Sequence, residues 1–109
     1  MKIGILADGD TLDSYIADDF GRANYFLIVD SDTLDYVAVR NEHANAVEGA
    51  GMKVADAIIG IGVDAVVTGG IGPHGYDKLT KAGIKVSFDE EGTAEEGVGN
   101  FIRRIARDR

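Results

Sequence analysis

The segment Val63–Tyr76, VDAVVTGGIGPHGY, constrains the fold more than any other part of the chain. Ala65, Val66 and Val67 form a short apolar run rich in β-branched residues, as a buried strand requires. Thr68 closes the run, and Gly69, Gly70 and Gly72 follow at once. Pro73 then stands where a helix should begin, because its fixed φ suits the first helical position and its missing N–H costs nothing there. Tyr76, Leu79 and Ala82 continue at helical spacing. The segment reads as buried strand, tight glycine turn and helix N-terminus. The glycines permit φ > 0 and put no side chain between the main chain and a ligand. Free N–H groups at such a helix start attract anions or electron-rich clusters. His74 lies inside this turn.

The remaining elements can be placed around that unit. Lys2–Ala7 is a strand ending in the turn Asp8-Gly9-Asp10. Thr11–Asn24 is polar and acidic, a loop with at most one helical turn, anchored by Tyr15, Ile16 and Phe20. Tyr25–Asp30 is a strongly apolar strand, and Leu34–Arg40 alternates as a half-buried strand would. Only Ser31-Asp32-Thr33 separates them, so they form a hairpin. Asn41–Gly51 is a second long connection, entering a helix at Gly49-Ala50-Gly51. Met52, Val54, Ala55, Ile58 and Ile59 supply its apolar stripe, and it ends near Gly60-Ile61-Gly62. The helix from Pro73 stops at Gly83, and Ile84–Phe88 is the last strand. A terminal helix follows with Ala94, Val98, Phe101, Ile102 and Ile105 as its apolar positions. Thr93 and Glu96 form a capping-box pair at its start. Arg103, Arg104, Arg107 and Arg109 complement the negative end of its dipole.

The order is thus β-β-β-α-β-α-β-α, which predicts an α/β fold: a mixed five-stranded sheet, its second strand antiparallel, with about three helices on its faces. A chain of 109 residues fits one domain, and 45% hydrophobic residues with a single proline describe a globular protein. Eleven basic against nineteen acidic residues give a net charge of −8, which opposes general binding to nucleic acid or to an anionic membrane. No cysteine is present, so neither a disulfide nor a thiolate ligand is available. No signal peptide precedes Met1-Lys2-Ile3 and no apolar run reaches membrane-spanning length, so the expected location is cytoplasmic.

If the first, third, fourth and fifth strands run parallel, their carboxyl ends share one edge of the sheet. That edge carries Asp8-Gly9-Asp10, Asn41–Asn45, Gly69–Gly75 and Asp89–Gly92, with both histidines and three helix starts. Open α/β sheets bind ligands there.

Three stretches carry a family likeness over nearly the whole chain: DDFGRANYFLIVD (Asp18–Asp30), the Asn41–Gly51 loop, and GVDAVVTGGIGPHGYDKLTKAGIKV (Gly62–Val86). The most specific pieces are Phe20-Gly21-Arg22-Ala23 leading into Tyr25-Phe26, and Gly69–Gly72 before Pro73. In these the chain resembles the dinitrogenase iron–molybdenum cofactor biosynthesis family, which includes NifX-type carriers and the C-terminal domain of NifB-type proteins. The resemblance implies a ribonuclease-H-like three-layer fold over residues 1–109, with strand order 3-2-1-4-5. It also implies non-catalytic binding of an iron–molybdenum cofactor or an iron–sulfur type precursor cluster. Expected partners are the cluster or a small anionic ligand, and cluster-assembly proteins.

His43 and His74 are the candidate metal ligands, because neutral imidazole holds iron and other transition metals and no thiolate competes. The alternative for each is a solvent-exposed loop residue. Gly69, Gly70, Gly72 and Gly75 could cradle the anionic part of a cofactor, or merely make a tight turn. No lysine of the GxxxxGK[ST] kind follows them, which excludes a P-loop. Arg22 could neutralise a bound anion or pair with Asp18 or Asp19, and Asn41 could orient a ligand or shape its loop by an Asx turn. Asp8, Asp10 and Asp89 could approach one another as metal-holding acids of a phosphoryl hydrolase. A nuclease of this fold needs an acid within the first strand, however, and Ile3-Gly4-Ile5-Leu6 offers none. No nucleophile–base pairing is visible, so the chain reads as a binding protein and not an enzyme. A metal-free protein-interaction or regulatory domain of the same fold is the other reading.

Overall fold

The computed structural model describes residues 1–107; Arg109, counted above with the basic last turn, lies outside them. The central strand, β1 (Lys2–Ala7), sends its side chains alternately into two cores. Leu6 enters one, while Ile3, Ile5 and Ala7 enter the other. On one side it pairs antiparallel with β2 (Tyr25–Asp30), which pairs antiparallel with β3 (Tyr36–Arg40). On the other it pairs parallel with β4 (Ala65–Val67), which pairs parallel with β5 (Lys85–Ser87). The order is β3-β2-β1-β4-β5 with β2 alone reversed, as expected from the sequence.

Among the described residues, three helices complete the layers. α1 (Ala50–Ile61) and α2 (Pro73–Lys81) cover one face: Val54, Ala55, Ile58 and Leu79 pack on Leu6, Phe26 and Val66. α3 (Ala94–Arg107) covers the other, setting Val98 and Phe101 against Ile3, Ile5, Leu27 and Val67. Each buried Leu, Ile or Phe contributes about 1.5–3 kcal/mol relative to exposure, which is what seats the helices on the sheet. The capping box is formed: Thr93 N–H donates to Glu96 Oε1 at 3.0 Å and Glu96 N–H to Thr93 Oγ1 at 3.1 Å.

Element edges differ from expectation where the chain turns. β3 starts at Tyr36 instead of Leu34, because Leu34 takes a left-handed φ of 64° and Asp30 N–H donates to the Asp35 carbonyl to close the hairpin. β5 loses Ile84 and Phe88. The half-buried character expected of Leu34–Arg40 is also not found. Tyr36, Val37 and Ala38 are exposed and only Val39 is half-buried, since β3 is the outermost strand while α3 lies over β1 and β4 and α2 packs by β5. The polar Thr11–Asn24 connection contains one 3₁₀ turn, Phe20–Arg22, in keeping with the single turn expected there.

Candidate functional site

A cleft of roughly 320 Å³ opens on the carboxyl edge of the sheet, between the starts of α1 and α2 and the 3₁₀ turn at Phe20–Arg22. Gly49, Ala50, Gly51 and Met52 contribute one wall, Gly72, His74 and Gly75 a second, and Asp19–Arg22 the third. Small residues make this convergence possible. A Cβ on Gly21 would stand 3.0 Å from the Gly51 nitrogen, too close for ordinary contact, whereas one on Gly75 would meet the Gly51 carbonyl oxygen at an ordinary 3.6 Å. Gly51 and Gly72 themselves have nothing within 4 Å of where a Cβ would be, so they face open space.

Neither helix start carries a side-chain cap. Lys53 and Tyr76 N–H donate to the carbonyls of Gly49 and Gly72, but the N–H groups of Ala50, Gly51, Met52, His74 and Gly75 have no partner among the described residues. Two helix N-termini thus bring unsatisfied donors and the positive ends of two dipoles to one cleft. α3, closed by its capping box, contrasts with both.

The residues singled out from the sequence divide here. His74 is exposed on the first turn of α2 and lines the cleft; His43 shares the carboxyl edge but does not line the cleft. Gly72 lines it, whereas Gly69 and Gly70 are occupied elsewhere. Their N–H groups donate to the carbonyls of Ala17 (3.0 Å) and Asp18 (2.7 Å), and their carbonyls accept from Asp89 and Phe20. A Cβ on Gly69 would fall 2.4 Å from the Ala17 oxygen, so that glycine is required by a passing segment of chain. Arg22 lines the cleft but pairs with neither Asp18 nor Asp19. Its Nη1 donates to the Ala44 and Ala46 carbonyls at 2.9 and 2.7 Å, tying the Asn41–Gly49 loop to the 3₁₀ turn. Asn41 is buried, donates to the Ala23 carbonyl at 2.7 Å and accepts from His43 N–H at 2.9 Å, the Asx turn weighed as its alternative. Among the described residues no three histidines or acids are grouped as metal ligands, Asp8, Asp10 and Asp89 included.

One contributor is not among the site residues expected from the sequence. Met52, assigned to the apolar stripe of α1, is 39% exposed and lines the cleft. The α1 start, expected on the carboxyl edge as one of three helix starts there, also lines the cleft. Its signal was glycine at 49 and 51 with no Ser, Thr, Asp or Asn to cap the helix.

The model of the family described as dinitrogenase iron-molybdenum cofactor matches residues 1–104. The chain belongs to that family. The apo form of the orange protein from Desulfovibrio gigas superposes with a TM-score of 0.89, at 33% identity over 94% of this chain and 88% of that one. A Thermotoga protein described as NifB and placed in the DUF35 family, solved by NMR, gives 0.78 at 32% identity over 94% and 87%. An uncharacterized protein of Methanocaldococcus jannaschii is 30% identical over 105 residues, 94% of this chain and 86% of its own. As a member of the dinitrogenase iron-molybdenum cofactor family, the chain is grouped with cofactor-biosynthesis and carrier proteins, consistent with a cluster-binding role. No described helix is long and apolar enough to cross a membrane.

Proposed function

We propose that this chain is a non-catalytic carrier for a metal cluster of iron–molybdenum or iron–sulfur type, or a related anionic cofactor, held in the cleft between α1 and α2. The observation that carries this reading is the meeting of two uncapped helix starts at one opening that also presents an imidazole, a thioether and a guanidinium. The cargo is anionic at its surface and its sulfide or oxide atoms accept hydrogen bonds, which the free N–H groups of Ala50, Gly51, His74 and Gly75 supply. His74 and Met52 are the soft donors within reach of its metal atoms. Arg22 offsets its charge. His43 and Asn41 serve by shaping the loop that Arg22 restrains, while Gly69 and Gly70 hold the floor of the turn. With no thiolate to anchor it, a cluster held this way can leave intact, as a carrier requires.

Anaerobic titration with a preformed iron–sulfur or iron–molybdenum cluster should give a coloured complex. His74→Ala together with Met52→Leu should weaken binding about tenfold or more, the equivalent of ~1.4 kcal/mol, without altering the circular dichroism. Failure of the wild-type chain to bind at micromolar concentration would reject the carrier role.

A further inference from the structure

We infer that the free edge of β3 is a homodimer interface, through which two copies join their five-stranded sheets about a two-fold axis at Ala38. The hairpin hydrogen bonds fix the direction of the backbone groups along β3. Asp30 N–H donates to the Asp35 carbonyl and Asn41 N–H to the Asn24 carbonyl, both at 2.9 Å. Antiparallel ladders bond alternate residues, so in the register Phe26–Val39 and Ile28–Val37 it is Val37 and Val39 that bond to β2. Tyr36, Ala38 and Arg40 turn their N–H and C=O groups outward, where they find no partner among the described residues. Exposed edges are normally blunted by lysine, proline, a bulge or an inward charge. β3 has no lysine, proline or bulge, its one charge, Arg40, stands at its end, and Val37 is 65% exposed.

The occupant that fits this edge is the same edge. Outward-turned residues bond only to outward-turned residues, which leaves few symmetric registers. With Ala38 on the axis, Ala38 meets Ala38, and Tyr36 of each copy meets Arg40 of the other, so every outward group of the strand is used. A shift of two residues either way leaves part of the strand unpaired. Side chains agree with this register on both faces. Val37 lies opposite Val39 on the α1 side, and the Arg40 guanidinium lies over the Tyr36 ring on the α3 side. Charge agrees as well: the acidic hairpin turn of each copy, Asp32 and Asp35, runs alongside Arg40 of the other, the only charged residue of the strand.

Sedimentation equilibrium of the full chain should show a dimer at about 100 µM, dissociating on dilution by mass action. Ala38→Pro removes only an outward N–H, and Val37→Lys adds a charge to the interface; both should sediment as monomers with unchanged circular dichroism. The chain has no cysteine, so Ala38→Cys introduces a single thiol at the axis. Cα atoms of a hydrogen-bonded antiparallel pair are about 5.5 Å apart and diagonal neighbours lie about 7–8 Å apart, so this variant should crosslink on mild oxidation more readily than Val37→Cys. A monomeric wild-type chain, a Val37→Lys chain as dimeric as wild type, or equal crosslinking of the two cysteine variants would each overturn the inference.

Discussion

Gly69 and Gly72 look alike in the sequence and answer to different constraints in the molecule. Gly69 is walled in by main-chain oxygens of Ala17 and Asp18, neither of which can retreat without breaking its own hydrogen bond. Gly69→Ala should therefore cost about 1–3 kcal/mol in urea unfolding, the range for overpacking against a rigid neighbour. Gly72→Ala adds a methyl group to open space and should change stability by no more than about 0.5 kcal/mol while weakening cluster binding. Arg22→Ala removes the donor that holds two loop carbonyls. Faster hydrogen exchange at loop amides, such as that of Ala46, should follow, with little change in the sheet.

At the level of elements, α3 is fastened to β5 by a small polar network. Ser87 Oγ donates to Glu90 Oε1 at 2.7 Å, and Arg104 reaches both residues, at 2.7 Å to Ser87 Oγ and 2.9 Å to Glu90 Oε1. The Ser87 hydroxyl first, and Arg104 after it, hold the Glu90 carboxyl below its ordinary value of 4.5, against the opposing effect of burial. The unfolded chain therefore takes up that proton first as the solution is acidified. The network's contribution is complete above pH 4.5 and is lost as pH falls through the depressed folded-state value. Glu90→Gln should flatten the acid limb of the stability–pH curve measured by thermal melting, and a limb unchanged in shape would count against this account. The capping box of the same helix acts in the same direction: Glu96 is held low by Thr93 N–H and then by the Thr93 hydroxyl.

What the sequence made legible at this level was local. Apolar runs gave β1, β2 and β4; glycine and proline gave the ends of α1 and α2; Thr93 and Glu96 gave the start of α3. What it hid was set by distant partners. The burial of Leu34–Arg40 depended on which strand became the outermost, and the fate of the Gly69 and Gly70 N–H groups on a segment some fifty residues earlier in the chain. The two carbonyls that Arg22 holds are likewise invisible to spacing, because nearby carboxylates are the obvious partners in one dimension. Met52 fell on the hydrophobic stripe by type, yet the buried face of α1 is made by Ala50, Val54, Ala55 and Ile58, and Met52 points away from it.

Considered as a whole molecule, the protein carries a charge of −8 and is proposed to receive an anion. The two fields act over different ranges. Net repulsion extends over a Debye length, while the attraction of the helix starts is confined to their first turns. Raising salt from about 10 to 150 mM shortens the Debye length from ~30 to ~8 Å and should therefore speed association of an anionic cluster. Stopped-flow rates that fall with salt would instead mean that a long-range positive field steers the ligand.

The contrast between one closed and two open helix starts bears on how an empty molecule fares. A passenger that satisfies the bare amides of α1 and α2 does for those helices what Thr93 and Glu96 do for α3, and so becomes a structural member of its own container. At a hundredfold excess over its dissociation constant it would add ~2.7 kcal/mol to the folded state. Laden molecules should then outlast vacant ones under proteolysis, and turnover of the protein would track the supply of what it carries.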